Sequence, residues 1–368
     1  MTQKSTTSEQ RLLSGETMPE KTLLALLNQY EQQLPHNPNS SDLWQQRSYC
    51  LVRLGRYQEA VKSYQKTLTL DTNDARAWCN YASALAAVDK LKAAVRAYDR
   101  SLQLDPIYAN VWRRRGKILY RLGEYARAVE SYDQALALAP TDGRIWYAKG
   151  LATYQLDHID QAINCFKIAI EHRSSCGVPY LSLIYALISV ERDDEALEYV
   201  GLLFKKGLDD PYLYDCYAYL LQQKGDIKGA LKQLQQAINL DPKNPHLWFH
   251  MGLVLARLGN YAEAHGAFRE ALKRQANHTD SWIALGMSLR KLSAPGAAIS
   301  AFNKALTLSP NHPMAFFQQA CCYASLGKND WAIEHLRRAI SLDAKTYLLK
   351  AQEETVLRSL QARSVLAS

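Results

Sequence analysis

The chain has 368 residues, in which 44 Lys and Arg outnumber 36 Asp and Glu, giving a formal net charge of +8. This excess favours acidic partners without identifying one. The seven cysteines show no CxxC spacing and the longest apolar stretch, residues 180–190, is too short to span a bilayer. We therefore expect a soluble protein of a reducing compartment, the cytoplasm, without membrane insertion.

Large aromatic residues recur every 34 residues along most of the chain, and an alanine follows each of them by sixteen residues. The aromatics are Trp44, Trp78, Trp112, Trp146, Tyr180, Tyr214, Trp248, Trp282 and Phe316. The alanines are Ala60, Ala94, Ala128, Ala162, Ala196, Ala230, Ala264, Ala298 and Ala332. A fixed period of this length predicts stacked copies of one structural unit.

The period divides the chain into an array with short flanks. Residues 1–18 are polar and predicted to be flexible, and residues 19–40 look like a partial repeat that serves as an N-terminal cap. Nine units follow, at 41–74, 75–108, 109–142, 143–176, 177–210, 211–244, 245–278, 279–312 and 313–346. Residues 347–368 are predicted to form a C-terminal capping helix, with Leu349, Val356 and Leu360 covering the last apolar face.

Each unit carries two sets of apolar positions at helical spacing. Counting from the first residue of a unit, positions 4, 8 and 11 predict one amphipathic helix and positions 20, 24 and 27 a second. Position 8 is usually small, which would let the two helices approach closely. Position 15 is often glycine, as expected where a helix ends with positive φ. In the eighth unit, Ser293 is predicted to cap the second helix, just before Pro295.

Residues 109–142 carry the pattern W, L, G, Y, A, F, A and P over 34 residues almost in full. This pattern resembles the tetratricopeptide repeat. The resemblance implies an all-α fold, a right-handed superhelical solenoid of antiparallel helix pairs.

The fifth unit departs most from the pattern. Ile184 replaces the small residue, Glu191 the glycine and Asp193 an aromatic, and the unit is rich in acidic residues. A decayed repeat with a solvated acidic face is the favoured interpretation. A bend, or a contact with another chain, is the alternative.

The sequence lacks the short motifs that are typical of enzymes. It has no Gly-rich phosphate loop, HExxH, GxSxG or paired-cysteine zinc pattern. We therefore predict no enzyme activity, no cofactor and no metal site. His246 and His250 lie four residues apart on one helix, but no third metal ligand is evident nearby. They are interpreted as isolated surface histidines.

The first helix of each unit leaves positions 2, 5, 6, 9, 12 and 13 away from its packed side. The resemblance implies that these positions line a concave groove that binds segments of partner proteins. In units two to four the groove is basic, with Arg76, Asn80, Arg113, Arg114, Lys117, Arg121 and Arg144. Further along it is aromatic and apolar, with Tyr147, Leu151, Tyr154, Leu181, Tyr185, Tyr212, Tyr219, Phe249, Leu253, Ile283, Met287 and Phe317. Arg47, Arg115 and Lys149, at position 7, are instead predicted to pack their stems and extend their charges to water.

The groove predicts a protein-binding scaffold or adaptor whose partner is a protein or peptide segment with acidic residues at one end and apolar or aromatic ones at the other. Only Asn80 and Arg114 match the five-residue carboxylate clamp of some family members, so that mode is disfavoured. RNA or another nucleic acid bound to the basic stripe is the second hypothesis. A docking or regulatory subunit of a separate enzyme is a third. Self-association is also open, with Phe249, Met287 and Phe317 receiving the C-terminal helix of a second copy.

Overall fold

A computed structural model describes residues 18–172 and 177–357. All regular structure within these residues is α-helical, and none of them forms a strand. The helices, in chain order, are α1 (Glu20–Gln33), α2 (Ser41–Arg53), α3 (Tyr57–Leu70), α4 (Ala75–Ala87), α5 (Leu91–Leu104), α6 (Ala109–Arg121), α7 (Tyr125–Leu138), α8 (Gly143–Gln155), α9 (Ile159–His172), α10 (Gly177–Ser189), α11 (Asp193–Lys205), α12 (Pro211–Gln223), α13 (Ile227–Leu240), α14 (Pro245–Arg257), α15 (Tyr261–Arg274), α16 (Thr279–Lys291), α17 (Pro295–Leu308), α18 (Pro313–Ser325), α19 (Asn329–Leu342) and α20 (Ala344–Glu353).

The helices follow the 34-residue period. The first helix of every repeat begins at position 1 and ends at position 13, and the second begins at position 17. Neighbouring helices pack on each other from α1 to α10 and from α11 to α20, through buried alanine, leucine and aromatic side chains. The predicted all-α solenoid of helix pairs is confirmed.

The chain forms two compact units, Met1–Glu191 and Arg192–Ser368. The first contains α1 to α10 and the second contains α11 to α20. The division falls inside the fifth repeat, the one that departs most from the pattern. Ile184, which replaces the small residue there, is fully buried.

Position 15 adopts positive φ in all nine repeats, whatever residue occupies it. Five repeats have glycine there, as predicted. The other four place a side chain in the same left-handed conformation, and these residues are Asp89, Asp157, Glu191 and Ser293, with φ between 59° and 62°. The prediction that Ser293 caps the second helix is therefore wrong. Ala294 stands at that position without a side-chain hydrogen bond, while Ser293 ends the turn of α16.

The six tryptophans of the 34-residue grid each tie their own repeat to the turn before it. In every case, the indole Nε1 donates to the backbone carbonyl six residues earlier, at 2.8–3.0 Å. For Trp112 the acceptor is the carbonyl of Pro106, and for Trp146 it is that of Pro140. Each anchor thus satisfies a carbonyl that lies beyond the end of a helix.

Glycine at position 8 leaves room for the aromatic ring at position 24 of the same repeat. A Cβ added to Gly116 would lie 2.6 Å from the ring of Tyr132, and one added to Gly286 would lie 2.5 Å from the ring of Phe302. Both rings sit at position 24 of the same repeat and are buried. The small residue therefore lets the two helices of a pair close on an aromatic side chain.

The cations at position 7 were predicted to extend their charged groups to water. Instead, these groups form hydrogen bonds and ion pairs within the protein. Arg115 donates to Asp99 Oδ1 and to Ser131 Oγ, both at 2.6 Å, and lies 5.9 Å over the ring of Trp112. Lys149 pairs with Asp133 at 2.6 Å. Arg47 pairs in the same way with a glutamate of α1. In each case the acid belongs to the preceding repeat, so the cation joins two neighbouring repeats.

The C-terminal helix differs from the predicted cap. α20 begins three residues earlier, because the Asp343 side chain accepts a hydrogen bond from the Thr346 backbone N at 3.1 Å. Tyr347 consequently takes the phase of the aromatic anchor and Ala351 that of the small residue, and both are buried. α20 thus has the phase of the first helix of a further repeat. Leu349, expected to cover the core, is 60% exposed. Leu360 lies outside the described residues.

Candidate functional site

We use "groove face" for the side of each first helix that carries positions 2, 5, 6, 9, 12 and 13. In the first compact unit, a cleft of about 670 Å³ opens on the groove face of the second and third repeats. It brings together three of the predicted site residues, Arg76, Asn80 and Arg114. The cleft therefore joins polar side chains from α4 and α6.

A hydrogen-bond chain holds Arg114 in this cleft. Arg114 Nη1 donates to Ser83 Oγ at 3.0 Å, and Ser83 Oγ lies 2.9 Å from the hydroxyl of Tyr98. Tyr98 is a buried anchor at position 24, and burial raises the pKa of its hydroxyl. The bonds are to neutral oxygens, so they orient the guanidinium without cancelling its charge.

Arg113 is half-buried beside Arg114. Its Nη2 donates to Asn110 Oδ1 at 2.6 Å. Burial lowers the pKa of the Arg113 guanidinium, and the positive charges of Arg144 and Arg114 lower it further. Burial and the two neighbouring arginines therefore destabilise the charged form of Arg113, and an anion bound there would stabilise it.

Two of the predicted basic residues are already paired with acids. Arg121 Nη2 lies 2.9 Å from Asp89 Oδ1, and Arg144 Nη2 lies 2.7 Å from Asp142 Oδ2. A hydrogen bond from Arg144 lowers the pKa of Asp142. The other four predicted cations, which belong to the second and third repeats, have no carboxylate partner among the residues that the structure describes. We call them the basic cluster, and they are Arg76, Arg113, Arg114 and Lys117.

The predicted aromatic residues of the first unit are not equally available. The Tyr147 hydroxyl lies 3.3 Å from Ser182 Oγ, and the Tyr147 ring packs 5.8 Å from that of Phe166. Tyr154, like Leu151 and Leu181, is partly buried. Tyr185 is 42% exposed.

In the second compact unit, four predicted groove residues expose their apolar surface. Tyr212, Tyr219, Leu253 and Met287 are 40–49% exposed. Phe249 is partly buried, packed 5.1 Å from the ring of His278 and 5.9 Å from that of Phe268.

Ile283 and Phe317 were expected on the groove surface, but both are buried, at 7% and 3% exposure. Phe317 lies under the C-terminal helix, with its ring 5.3 Å from that of Tyr347. The chain's own helix thus covers the residue that we expected to receive the helix of a second copy.

The two histidines of α14 are not isolated, in contrast to the prediction. His250 Nδ1 lies 2.7 Å from Asp215 Oδ1 of the preceding repeat. Burial opposes the charged imidazolium, but the bond and charge of Asp215 outweigh it, so the pKa of His250 is raised. His246 packs edge-on against His278, with ring centroids 5.9 Å apart. The histidines therefore serve contacts between repeats.

No three His, Cys, Asp or Glu side chains come together as a metal site in residues 18–172 and 177–357. Over the same residues, no helix combines the length and apolar character needed to cross a bilayer.

Three further residues of the cleft were not among the predicted site residues, although two of them, Cys79 and Asn110, stand at groove-face positions. Cys79, Tyr108 and Asn110 line the cleft beside the predicted residues. A second periodicity would have found one of them, because position 5 of a repeat faces position 6 of the next, 35 residues on. Asp215 with His250 and Tyr147 with Ser182 obey this spacing. Cys79 with Arg114 obeys it too, and both line the cleft.

Family models described as tetratricopeptide repeat or TPR repeat match six stretches of the chain. The stretches are 41–84, 75–108, 109–142, 218–259, 251–313 and 301–334. Together they cover more than half of the sequence. A search of the curated proteins gives no match.

Several solved structures are similar to the chain. The structure of the APC/C hetero-tetramer Cut9–Hcn1 is 17% identical, with a TM-score of 0.55, over 93% of this chain and 82% of that one. MamA is 27% identical, with a TM-score of 0.40, over 40% of this chain and 86% of that one. PilF of Pseudomonas aeruginosa is 22% identical, with a TM-score of 0.46, over 55% of this chain and 92% of that one. The likeness to Cut9–Hcn1 supports the fold alone.

Proposed function

We propose, since the chain belongs to the tetratricopeptide repeat family, that it is a non-catalytic scaffold that binds partner proteins on its groove faces. In the first compact unit, the bound segment is acidic and lies against the basic cluster. In the second, the bound segment is apolar or aromatic. A role as docking subunit for a separate enzyme would use the same surfaces.

One observation carries the proposal for the first unit. Arg114 lines the cleft and Arg113 lies half-buried next to it, and their guanidinium groups donate to Ser83 and Asn110 rather than to carboxylates. A guanidinium presents five N–H donors, and most of those on this pair are not used by the described residues. Carboxylates of a partner would supply both the missing acceptors and the missing negative charge.

The composition of the cleft favours a protein over a nucleic acid. Asp74 and Asp105 line it together with the arginines. Both carboxylates serve local structure, because Asp74 caps α4 and Asp105 accepts a bond from the backbone N of Ile107. A peptide can space its acidic residues to avoid these two charges, whereas a nucleic acid carries a phosphate at every nucleotide.

A peptide library tests the proposal. A pool of random 12-residue peptides is passed over three immobilised proteins: the native chain, a triple variant with Arg113, Arg114 and Lys117 each changed to Glu, and a control with Lys62, Lys66 and Arg96 each changed to Glu. The control residues lie on the second helices of the same unit and are exposed. We expect the native chain and the control to enrich peptides rich in Asp and Glu, and the groove variant to lose that enrichment.

Two outcomes would contradict this proposal. If the native chain enriches no acidic peptides, the basic cluster is not a peptide site. If both triple variants lose enrichment equally, net charge rather than the groove face attracts the peptides. A random single-stranded RNA pool forms a parallel arm. RNA retained by the native chain at moderate salt, in preference to peptide, would support the nucleic-acid hypothesis instead.

A further inference from the structure

The end of the groove face in the second compact unit is covered by the chain itself. After α20 the backbone turns at Glu354, and the side chain of Leu357, three residues on, is fully buried. Leu357 belongs to the same buried cluster as Phe317, Cys321 and Tyr347. We call residues 354–357 the tail segment.

An ion pair fixes the tail segment to a repeat that is not its neighbour. Arg290 Nη1 donates to Glu354 Oε1 at 2.8 Å, with side-chain exposures of 19% and 29%. Arg290 is at position 12 of the eighth repeat, on the groove face, whereas Glu354 follows α20, the helix after the ninth repeat. The tail segment therefore reaches back past the ninth repeat.

Comparison of equivalent positions shows what the tail segment covers. Position 9 is exposed in three successive repeats of this unit, at Tyr219, Leu253 and Met287, by 40–43%. In the ninth repeat, the same position holds Cys321, which is fully buried. Burial raises the pKa of its thiol to about 12. Position 9 thus forms a row of apolar side chains along the groove face. The tail segment covers the last member of this row, Cys321.

The helix that carries Phe317 and Cys321 also buries a polar atom without a hydrogen-bond partner. Gln318, at position 6 of the same helix, is 6% exposed, and its Oε1 is buried without a donor among the described residues. A buried acceptor without a donor destabilises the arrangement that buries it. An extended partner segment could supply a backbone N–H there.

We propose that the tail segment is a displaceable occupant of the groove face of the eighth and ninth repeats, and that the partner segment replacing it carries a carboxylate for Arg290 and an aliphatic side chain for the cluster around Cys321. The residues that the chain itself places there, Glu354 and Leu357, define this chemistry. The inference extends the proposed function to a defined part of the second unit, and it rests on the premise that groove faces bind protein segments.

The test uses a fluorescein-labelled peptide with the sequence of residues 350–362, added to the full-length chain. In an opened variant, Glu354→Gln with Leu357→Ala, the site is vacated, so the peptide should bind about tenfold more tightly than to the native chain. Arg290→Gln in the opened background should remove that gain, as should the same two substitutions in the peptide. The Cys321 thiol should react faster with a thiol reagent in the opened variant.

A Glu353→Gln variant is the matched control, because it removes a neighbouring, exposed carboxylate and should leave both readouts unchanged. Circular dichroism establishes that the opened variant keeps its helices. If the folded, opened variant binds the peptide no better than the native chain, the tail segment is not a displaceable occupant. Charge reversal in the basic cluster of the first unit should leave this binding unchanged. Failure here is therefore distinguishable from failure of the peptide-library experiment.

Discussion

At the scale of single residues, the repeat imposes backbone conformations that some of its residues fit poorly. Position 15 is left-handed in every repeat, yet Asp89, Asp157, Glu191 and Ser293 carry side chains there. For a residue with a Cβ, this conformation costs about 1–2 kcal/mol. The sequence predicts the turn where glycine marks it, as at Gly123. At Ser293 the sequence predicted a helix cap instead of a left-handed turn, because a serine two residues before a proline is also typical of a cap.

Replacing Ser293 with Gly should therefore stabilise the eighth repeat by about 0.5–1 kcal/mol, after allowing for the greater freedom of glycine in the unfolded chain. Hydrogen exchange of the α16 and α17 amides measures the change, since a repeat array need not unfold as one cooperative unit.

Ser300→Gly is the matched control for this substitution. It makes the same chemical change at an exposed position within α17. Exchange there should become faster, because glycine weakens a helix interior by about 0.5 kcal/mol relative to serine. Faster exchange in both variants would show that the left-handed turn is not strained by Ser293.

At the scale of helices, the cations at position 7 connect neighbouring repeats. Arg115 bonds Asp99 of the preceding repeat and Ser131 of its own, with a side chain only 13% exposed. A count of positions put these cations beside the core but could not supply the acid, which lies sixteen residues earlier on another helix. The ninth repeat uses the same geometry with neutral groups, where Gln319 donates to Asn303 at 2.6 Å.

A double-mutant cycle of Arg115→Met and Asp99→Asn should give a coupling energy of about 1 kcal/mol, because the arginine is mostly withdrawn from solvent. The Arg127–Glu124 pair in the same unit is the comparison. It is more exposed to solvent, with 48% of the arginine side chain and 35% of the glutamate side chain accessible. It should give about 0.2–0.5 kcal/mol. Urea unfolding of the four members of each cycle provides the energies. Equal couplings for the two pairs would mean that Arg115 does not hold the second and third repeats together.

At the scale of the whole molecule, the 34-residue period was sufficient to predict the helices and their order. The tryptophan grid and the alanines carry this information because packing needs them in every copy. The free side was harder to predict, because its chemistry depends on contacts between repeats. Arg121 and Arg114 look equivalent by counting, but Asp89 neutralises the first and Ser83 leaves the second charged.

The two ends of the array also show what a period can and cannot predict. Residues 19–40 were predicted to form a partial repeat, and the structure has α1 there with Tyr30 buried. At the other end, the ninth repeat is three residues shorter, so Tyr347 is buried, whereas Leu349, which we expected from the amphipathic pattern to cover the core, is exposed. The contact between Glu354 and Arg290 spans 64 residues and has no local signature in the sequence.

The measurement that tests the central claim most directly is affinity purification of the native chain from its own cells, with quantitative mass spectrometry of the captured proteins. The triple variant of Arg113, Arg114 and Lys117 to Glu is compared with the control triple variant of Lys62, Lys66 and Arg96 to Glu. We predict that a set of partners with acidic segments is captured by the native chain and by the control, and is lost from the groove variant. Capture of the same partners, in the same amounts, by all three proteins would contradict the claim that the basic cluster is the binding site.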